Sequence, residues 1–472
     1  MKTDCIAEGF AFQGLGRRQV VGKFDGGTLS TDGGLLLLRE LEQRRGILGR
    51  FAECFTDYRS PLFVEHSVHE LVSQRVLALA AAYEDLNDHD QLNRDPLLAT
   101  AVGKTDPTGQ DRRLPEDRGK PLAASATLNR LEWSPEEVSE IDRYRKITVD
   151  SDAVERSFVE TFIRSFSSPP ARLTLDLDAT DDPLHGQQEG RFFHGYYRCY
   201  CYLPLYIFCG THLLCARLRE ASKDAAHGAR ADVEKIVAQL REAWPEVQIL
   251  LRADSGFARE ELMSWCEANG VEFVFGLARN ARLEAALSSE METVTRRHRR
   301  TRRAERVYKD FSYRTQKSWS RQRRVIGKAE VLRKGANPRF IVTSLSRAQI
   351  RARDLYERIY CARGEMENRI KEQQLYLFAD RTSAHTMRVN QMRLWFASLA
   401  YTMLNELRRL GLSGTSMAHA RCDTLRLKLI KIAARVRVSV RRVAVSFASS
   451  YPHQALFSRV YERLTRAGPA IA

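Results

Sequence analysis

Short apolar runs that stop abruptly at polar residues alternate along this chain with longer runs at helical spacing. The first ~165 residues read as a mostly helical unit after a short strand or two between Val20 and Leu29. LLLLRELEQRRG and VHELVSQRVLALAAAYEDL carry apolar residues at helical spacing. Thr105–Pro121, with three prolines and two glycines, reads as a loop, and a further helix is expected over Ser134–Tyr144, with Pro135 in its first turn. From Arg172 the period changes. Leu173–Asp178, Phe192–Phe208, His212–Arg219, Val247–Arg252 and Val271–Gly276 read as strands, with Gly210 at the turn before the third. Helices are expected over Asp232–Ala243, stopped by Pro245, and Glu260–Asn269, closed by Gly270.

The resulting order, β-β-β-α-β-α-β with a helix much later, is the ribonuclease-H-like order. Residues 281–346 interrupt it. Alternation in RVYKDFSYRT, RRVIGKAEVL and PRFIVTSL predicts three strands there, and between Arg296 and Lys334 sixteen Lys/Arg face three Asp/Glu. The expected fold class is therefore α/β, a ribonuclease-H-like catalytic core with a β-rich insertion, flanked by helical N-terminal and C-terminal regions. The expected boundaries are 1–165 for the N-terminal unit, 166–280 and 347–400 for the core, 281–346 for the basic insertion and 401–472 for the C-terminal region. Within the last of these, TLRLKLIKIAARVRVSVRRVAVSF mixes helical and alternating patterns.

Charge narrows the function class. A net +16 over 472 residues points to a polyanionic partner, nucleic acid before an anionic membrane. The longest uncharged stretch, Cys199–Ala216, contains Pro204 and Gly210 and reads as strands, so no membrane span is expected. MKTDCIAEGFAFQG lacks an apolar leader region, and a cytoplasmic location follows as the expectation. Nine cysteines without a CxxC pair suit reduced thiols, and Cys199 and Cys201 near His194 lack the second ligand pair of a zinc site.

Three acids stand out. Asp178 ends the run RLTLDLD, Asp254 ends VQILLRAD, and Glu367 lies in the helical pattern YCARGEMENRIKEQQ. Asp176 shares the strand side of Asp178 by period 2, and Asp181 and Asp182 follow in the loop. At about 100° per residue, Tyr360, Arg363, Glu367, Lys371 and Gln374 fall within an arc of roughly 80°. A solvated face of i,i+4 ion pairs would show the same stripe. Each Asp alone would suit a turn or cap. Two acids at apolar run ends and one on a late helix are better explained by carboxylates gathered around Mg²⁺ (or Mn²⁺), with two ions expected, for phosphoryl transfer on nucleic acid.

The chain resembles bacterial DDE transposases of the insertion-sequence 4 superfamily, most closely the insertion-sequence-1380 type. LDLDATDDPLHGQQEG, LLRADSGFARE and YCARGEMENRIKEQQLYLFADRTS carry the resemblance. It implies that Asp178, Asp254 and Glu367 are the catalytic and metal-holding acids, with Asp176 a competitor for Asp178. It also implies that Tyr360 and Arg363 hold DNA-end phosphates. Where the family's Tyr-Arg-Glu-Lys signature ends in Lys, this chain has Gln374, and Lys371 lies one turn earlier. In such transposases an insertion at this position helps handle the cleaved end. Trp319 or a neighbouring aromatic (Tyr308, Phe311, Tyr313) is accordingly expected to stack on a displaced base. The expected activity is metal-dependent cleavage at insertion-sequence ends and strand transfer into target DNA, by a homodimer on the terminal inverted repeats, in a bacterial, nucleoid-associated setting. The alternatives are a catalytically inactive DNA-binding protein derived from a transposase, and a stand-alone ribonuclease-H-like nuclease. His185 and His194 flank the loop after the first acid and are left outside the catalytic set.

Overall fold

The computed structural model describes residues 9–137 and 144–466. The chain forms two compact units. One takes 1–46, 60–129 and 406–472; the other takes 47–59 and 130–405. This differs from the boundaries expected above. The segment Ser151–Ile163 joins the second unit because Val159 and Phe162 pack into the same core as Leu173 and Leu175. Phe55–Asp57 belongs there too, paired with Ile147–Val149. The helix expected at Ser134–Tyr144 falls mostly on 138–143, outside the described residues; 134–137 and Tyr144 are not helical.

The first unit is mainly helical. Helix Val68–Ala80 starts with a capping box in which Ser67 and Glu70 satisfy each other's backbone N–H. The 401–472 segment is not wholly helical. Ala434–Ser439 and Arg442–Phe447 form a hairpin that pairs with Leu29–Ser30. Its ARVRVS alternation buries Ala434 and Val436 and exposes Arg435 and Arg437, a period that a helix cannot satisfy. Among the described residues, no helix is long and apolar enough to cross a membrane.

The second unit is a mixed α/β assembly around a nine-stranded sheet. Its strands are β1 (Arg172–Ala179), then β4 (Leu205–Cys209), β5 (His212–Arg217), β6 (Gln248–Ala253), β7 (Glu272–Leu277), β8 (Glu305–Tyr313), β9 (Arg323–Leu332) and β10 (Arg339–Thr343). A separate hairpin, β2 (Phe192–His194) and β3 (Cys199–Tyr202), comes between β1 and β4. The order across the sheet is β5-β4-β1-β6-β7-β10-β9-β8, with Gly335–Ala336 added beside β9. β1, β6 and β7 run parallel; the other pairs along this order are antiparallel. The stretch expected as one strand, Phe192–Phe208, is thus three. Gly270 adopts φ +61°, closing helix Glu260–Ala268 as its position predicts.

The three strands expected in 281–346 are present, but they extend the central sheet instead of forming a module of their own. The segment also carries helix Ser288–Thr301, which alternation alone did not foretell. Helices Ser151–Ile163, Ala229–Ala243 and Glu260–Ala268 supply Phe162, Val233, Leu240 and Leu262 to one face of the sheet, together with Leu173, Leu175, Leu177, Ile249 and Leu251. A second cluster of Leu250, Val274, Ile341, Leu355 and Tyr356 lies on the opposite strand side.

Candidate active site

Period 2 decides where the acids go. Leu173, Leu175 and Leu177 of β1 enter the main core, so Thr174, Asp176 and Asp178 take the other side. In β6, Ile249, Leu251 and Ala253 do the same. The two strands are parallel, with Asp176 opposite Arg252 and Leu177 opposite Ala253. The next step along both sets Asp254 beside Asp178 at adjacent carboxyl ends, where open α/β sheets present their crevices.

The two acids of β1 separate cleanly. Both oxygens of Asp176 accept from Arg252, each at 2.7 Å, and Arg252 also donates to the Ile359 carbonyl at 2.7 Å. Asp176 is buried and fully engaged, a structural ion pair that ties β1 and β6 to the chain before Tyr360. Asp178 instead lines a cavity of about 620 Å³, together with Asp254, Glu367, Arg363, Lys371 and Gln374. Asp254 Oδ1 accepts from the Gly256 N–H at 2.8 Å, so it also caps the turn that follows its strand.

One helical run brings the remaining groups. Leu355–Tyr360 is a π turn, Cys361–Arg363 a 3₁₀ turn, and Gly364–Leu377 an α-helix, here α1. Leu355 and Tyr356 anchor its start in the second core cluster; Met366, Ile370 and Leu377 are buried along α1. Tyr360 reaches across β7 at Gly276. A Cβ on Gly276 would lie 2.7 Å from the Tyr360 hydroxyl and 2.8 Å from Ser255 N, so only glycine admits both the ring and the Asp254 turn.

Arg363 bridges two of the acids. Its Nη2 donates to Glu367 Oε1 at 2.9 Å, and its Nη1 lies 3.4 Å from Asp178 Oδ2 without a hydrogen bond. Burial pushes the Asp178 carboxyl up to about 7; Arg363 opposes this, while the Asp254 and Glu367 charges add to it. Burial pulls the Arg363 guanidinium down, but Asp178, Tyr360, Glu367 and Asp254 together outweigh it and hold it above its ordinary range. The last signature position is Gln374, whose Nε2 donates to Asp182 Oδ1 at 2.8 Å and to the Asp181 carbonyl at 3.1 Å. Asp182 is fully buried and pushed up to about 8 by that burial. Gln374 thus fastens the loop after β1, while Lys371, exposed one turn earlier, lines the cavity.

As the side chains lie, no group of three or more His, Cys, Asp or Glu among the described residues is arranged to hold a metal ion. The type of donor still suits one. Asp178, Asp254 and Glu367 are hard oxygen ligands of the kind Mg²⁺ and Mn²⁺ take. A guanidinium already stands between two of them.

Trp319 corrects the sequence expectation. It is 4% exposed, packed edge-on to Tyr313 at 5.7 Å, with the Arg323 guanidinium 5.5 Å above its ring. Arg323 in turn is clamped by Glu260 and Glu267. The ring completes the core beneath this network and offers no face to a base. Tyr313 is buried, and Tyr308 donates to Glu357 at 2.9 Å. His194, left outside the expected set, lines the cavity, as do Tyr196, Tyr197 and Lys223, which the sequence did not single out. The aromatic, acid-free run RFFHGYYRCYCY just after the first acid was the available signal.

The family model described as Transposase DDE domain group 1 matches residues 12–469. No curated protein matches the sequence. Among solved structures, the chain is similar to the piggyBac transposase in the cryo-EM structure of its synaptic complex with hairpin DNA, at 11% identity over 84% of this chain and 79% of that one. The TM-score is 0.38, a likeness too loose to argue from.

Proposed function

Since the chain belongs to the family of transposase DDE domains, group 1, we propose that it cuts DNA at the ends of a mobile element and joins them to target DNA, with Asp178, Asp254 and Glu367 as the catalytic acids. One observation carries the assignment: two acids from adjacent parallel strand ends and one from a helix far along the chain line a single cavity, with an arginine between them. The strand order β5-β4-β1-β6-β7, antiparallel then parallel, supports reading the core as ribonuclease-H-like. The motifs around the three acids favour the insertion-sequence-1380 type.

The chemistry is two phosphoryl transfers. Water adds to phosphorus as the bond to the 3′ oxygen breaks, and that oxygen takes up a proton to leave a 3′-OH on the element. The new hydroxyl then adds to a target phosphorus while the target's own 3′ oxygen leaves. Divalent cations, two Mg²⁺ or Mn²⁺, held by the three carboxylates, would supply charge neutralisation at the phosphate and acidify the attacking oxygen. The chain's own groups bind and orient. Arg363, once drawn off Asp178, presents its planar fork to phosphate oxygens. Lys371 offers a point charge at the cavity, and Tyr360, seated over Gly276, backs the Asp254 turn.

Duplex DNA is held by charge. Arg296, Arg297, Arg299, Arg300, Arg302 and Arg303, on and just after helix Ser288–Thr301, are all exposed and suit successive phosphates. Two ends must be joined together, so two copies on the terminal repeats are part of this reading.

The test is cleavage of a duplex bearing the inverted repeats that flank this reading frame, with and without Mg²⁺ or Mn²⁺. Asp178→Ala, Asp254→Ala and Glu367→Ala should each abolish nicking and still retard the DNA on a gel. Nicking that survives in one variant removes that residue from the set. Retardation by the wild-type protein with no metal-dependent nicking would leave a binding protein, and nicking without joining a plain nuclease.

A further inference from the structure

The hairpin β2–β3 stands at the rim of the acid-lined cavity and shows an unusual surface. Phe192, Phe193, Tyr196 and Tyr200 are 48%, 49%, 84% and 44% exposed. Four large aromatics on one short hairpin are far more than a solvated loop needs, since such clusters on soluble proteins mark contact sites. The pairing explains how they are displayed. Phe193 stands opposite Tyr200, and Cys201 on the alternate side is buried. The Phe193 and Tyr200 rings meet edge-to-face at 5.4 Å, and the Arg191 guanidinium lies 4.1 Å over Tyr200. Arg191 also donates to the Gly186 carbonyl, which fixes its plane. The turn is closed by the Arg198 N–H on the His194 carbonyl at 2.8 Å, with Arg198 at φ +58°. It presents Tyr196 at the tip, and Tyr196 lines the same cavity as Asp178, Asp254 and Glu367.

The charge selects the occupant. From Arg191 to Tyr202 there is no Asp or Glu, while Arg191 and Arg198 are cationic. A partner must therefore offer flat π faces and negative charge together. Duplex DNA hides its base faces in the stack; a single strand shows them. Resting on the function proposed above, we propose that the β2–β3 hairpin is a stacking platform for unpaired nucleotides of one DNA strand, which it guides into the cavity. Phe193 and Tyr196 take base faces, and Arg198 takes a phosphate. Pairs next to the cut must then open before the strand reaches the acids.

The experiment compares two labelled probes, an oligodeoxythymidylate and a blunt duplex, by fluorescence anisotropy with the full-length protein and no divalent cation, so that cleavage does not enter. The double variant Phe193→Ala/Tyr196→Ala should lose about tenfold or more in affinity for the single strand. Its duplex affinity should stay within about twofold, because the phosphate backbone dominates duplex binding. Tyr196→Phe keeps a π face and should bind the single strand as the wild type does. Unchanged single-strand affinity in the double alanine variant overturns the proposal, as does an equal loss on both probes. If the double variant melts below the wild-type protein, Tyr196→Ala alone decides, since that ring is the most exposed of the four. Wild-type binding to the duplex but not to the single strand removes the platform and leaves the transposase reading standing. Wild-type binding to neither probe overturns both.

Discussion

Replacing Gly276 by alanine puts a methyl group where no atom fits. The new carbon would lie 2.7 Å from the Tyr360 hydroxyl, 2.8 Å from Ser255 N and 3.0 Å from the Asp254 carbonyl carbon, each well inside ordinary van der Waals separation. Something must move by several tenths of an ångström. The hydroxyl sits at the end of a side chain; the other two atoms belong to the turn that sets Asp254. Overpacking of this kind costs about 1–3 kcal/mol, which in a protein of this size shifts the melting temperature by roughly 1–2 °C per kcal/mol. The loss of activity should be larger, because misplacing a reacting group by about 1 Å can cost on the order of 100-fold. Metal-dependent nicking and a melting curve, measured on Gly276→Ala, separate the two effects. Adding Tyr360→Phe removes the 2.7 Å clash but not the backbone one, so the double variant should regain stability without regaining full cleavage. Wild-type nicking by Gly276→Ala would refute the claim that this close approach positions Asp254.

Three further outcomes follow from the same geometry. Asp178 is pushed up to about 7, above its unfolded value of about 4, so the metal-free protein loses stability as pH rises through that interval. Asp178→Asn should therefore melt higher than the wild type at pH 8 without divalent cations, with the gain fading toward pH 4. Added Mg²⁺ or Mn²⁺ should raise the wild-type melting temperature and leave the variant unmoved, and a pH-independent difference would contradict the assignment. Replacing Arg296, Arg297, Arg299 and Arg300 by glutamine should flatten the dependence of log K on log salt by about 0.9 for each phosphate no longer neutralised; an unchanged slope would take helix Ser288–Thr301 out of the DNA interface. Trp319→Ala should cost about 3–5 kcal/mol in denaturant unfolding as a cavity in the core, and a stable variant with impaired end cleavage would restore the surface role first expected of it.

Much of the second unit could be read from the chain because its strands are short and change character sharply. LTLDLD and ILLRAD each send alternate residues into the main core, which is enough to place Asp178 and Asp254 together on the other side once the strands are known to be neighbours. What sequence could not show is which acid is already taken. Asp176 and Asp178 have the same spacing and chemistry, and only the bidentate Arg252 tells them apart. The basic segment misled for a related reason. Arginine beside an aromatic looks the same whether the pair faces solvent or, like Arg323 over Trp319, closes a core under a carboxylate clamp. Gln374 seemed a defect in a signature and proves to hold the buried Asp182. The first unit joins two early stretches of chain, 1–46 and 60–129, to a distant one, 406–472, and no local period reports such an assembly.

The order in which the acids occur has a consequence for biosynthesis. Asp178 and Asp254 emerge early and can settle into their sheet, but the arm that carries Glu367 is made only after β8, β9 and β10 have been added to the same sheet. Pairings between such distant segments form late and slowly. A nascent or truncated chain ending before α1 would hold two of the three acids without the third, and on the function proposed above it could not yet cut DNA.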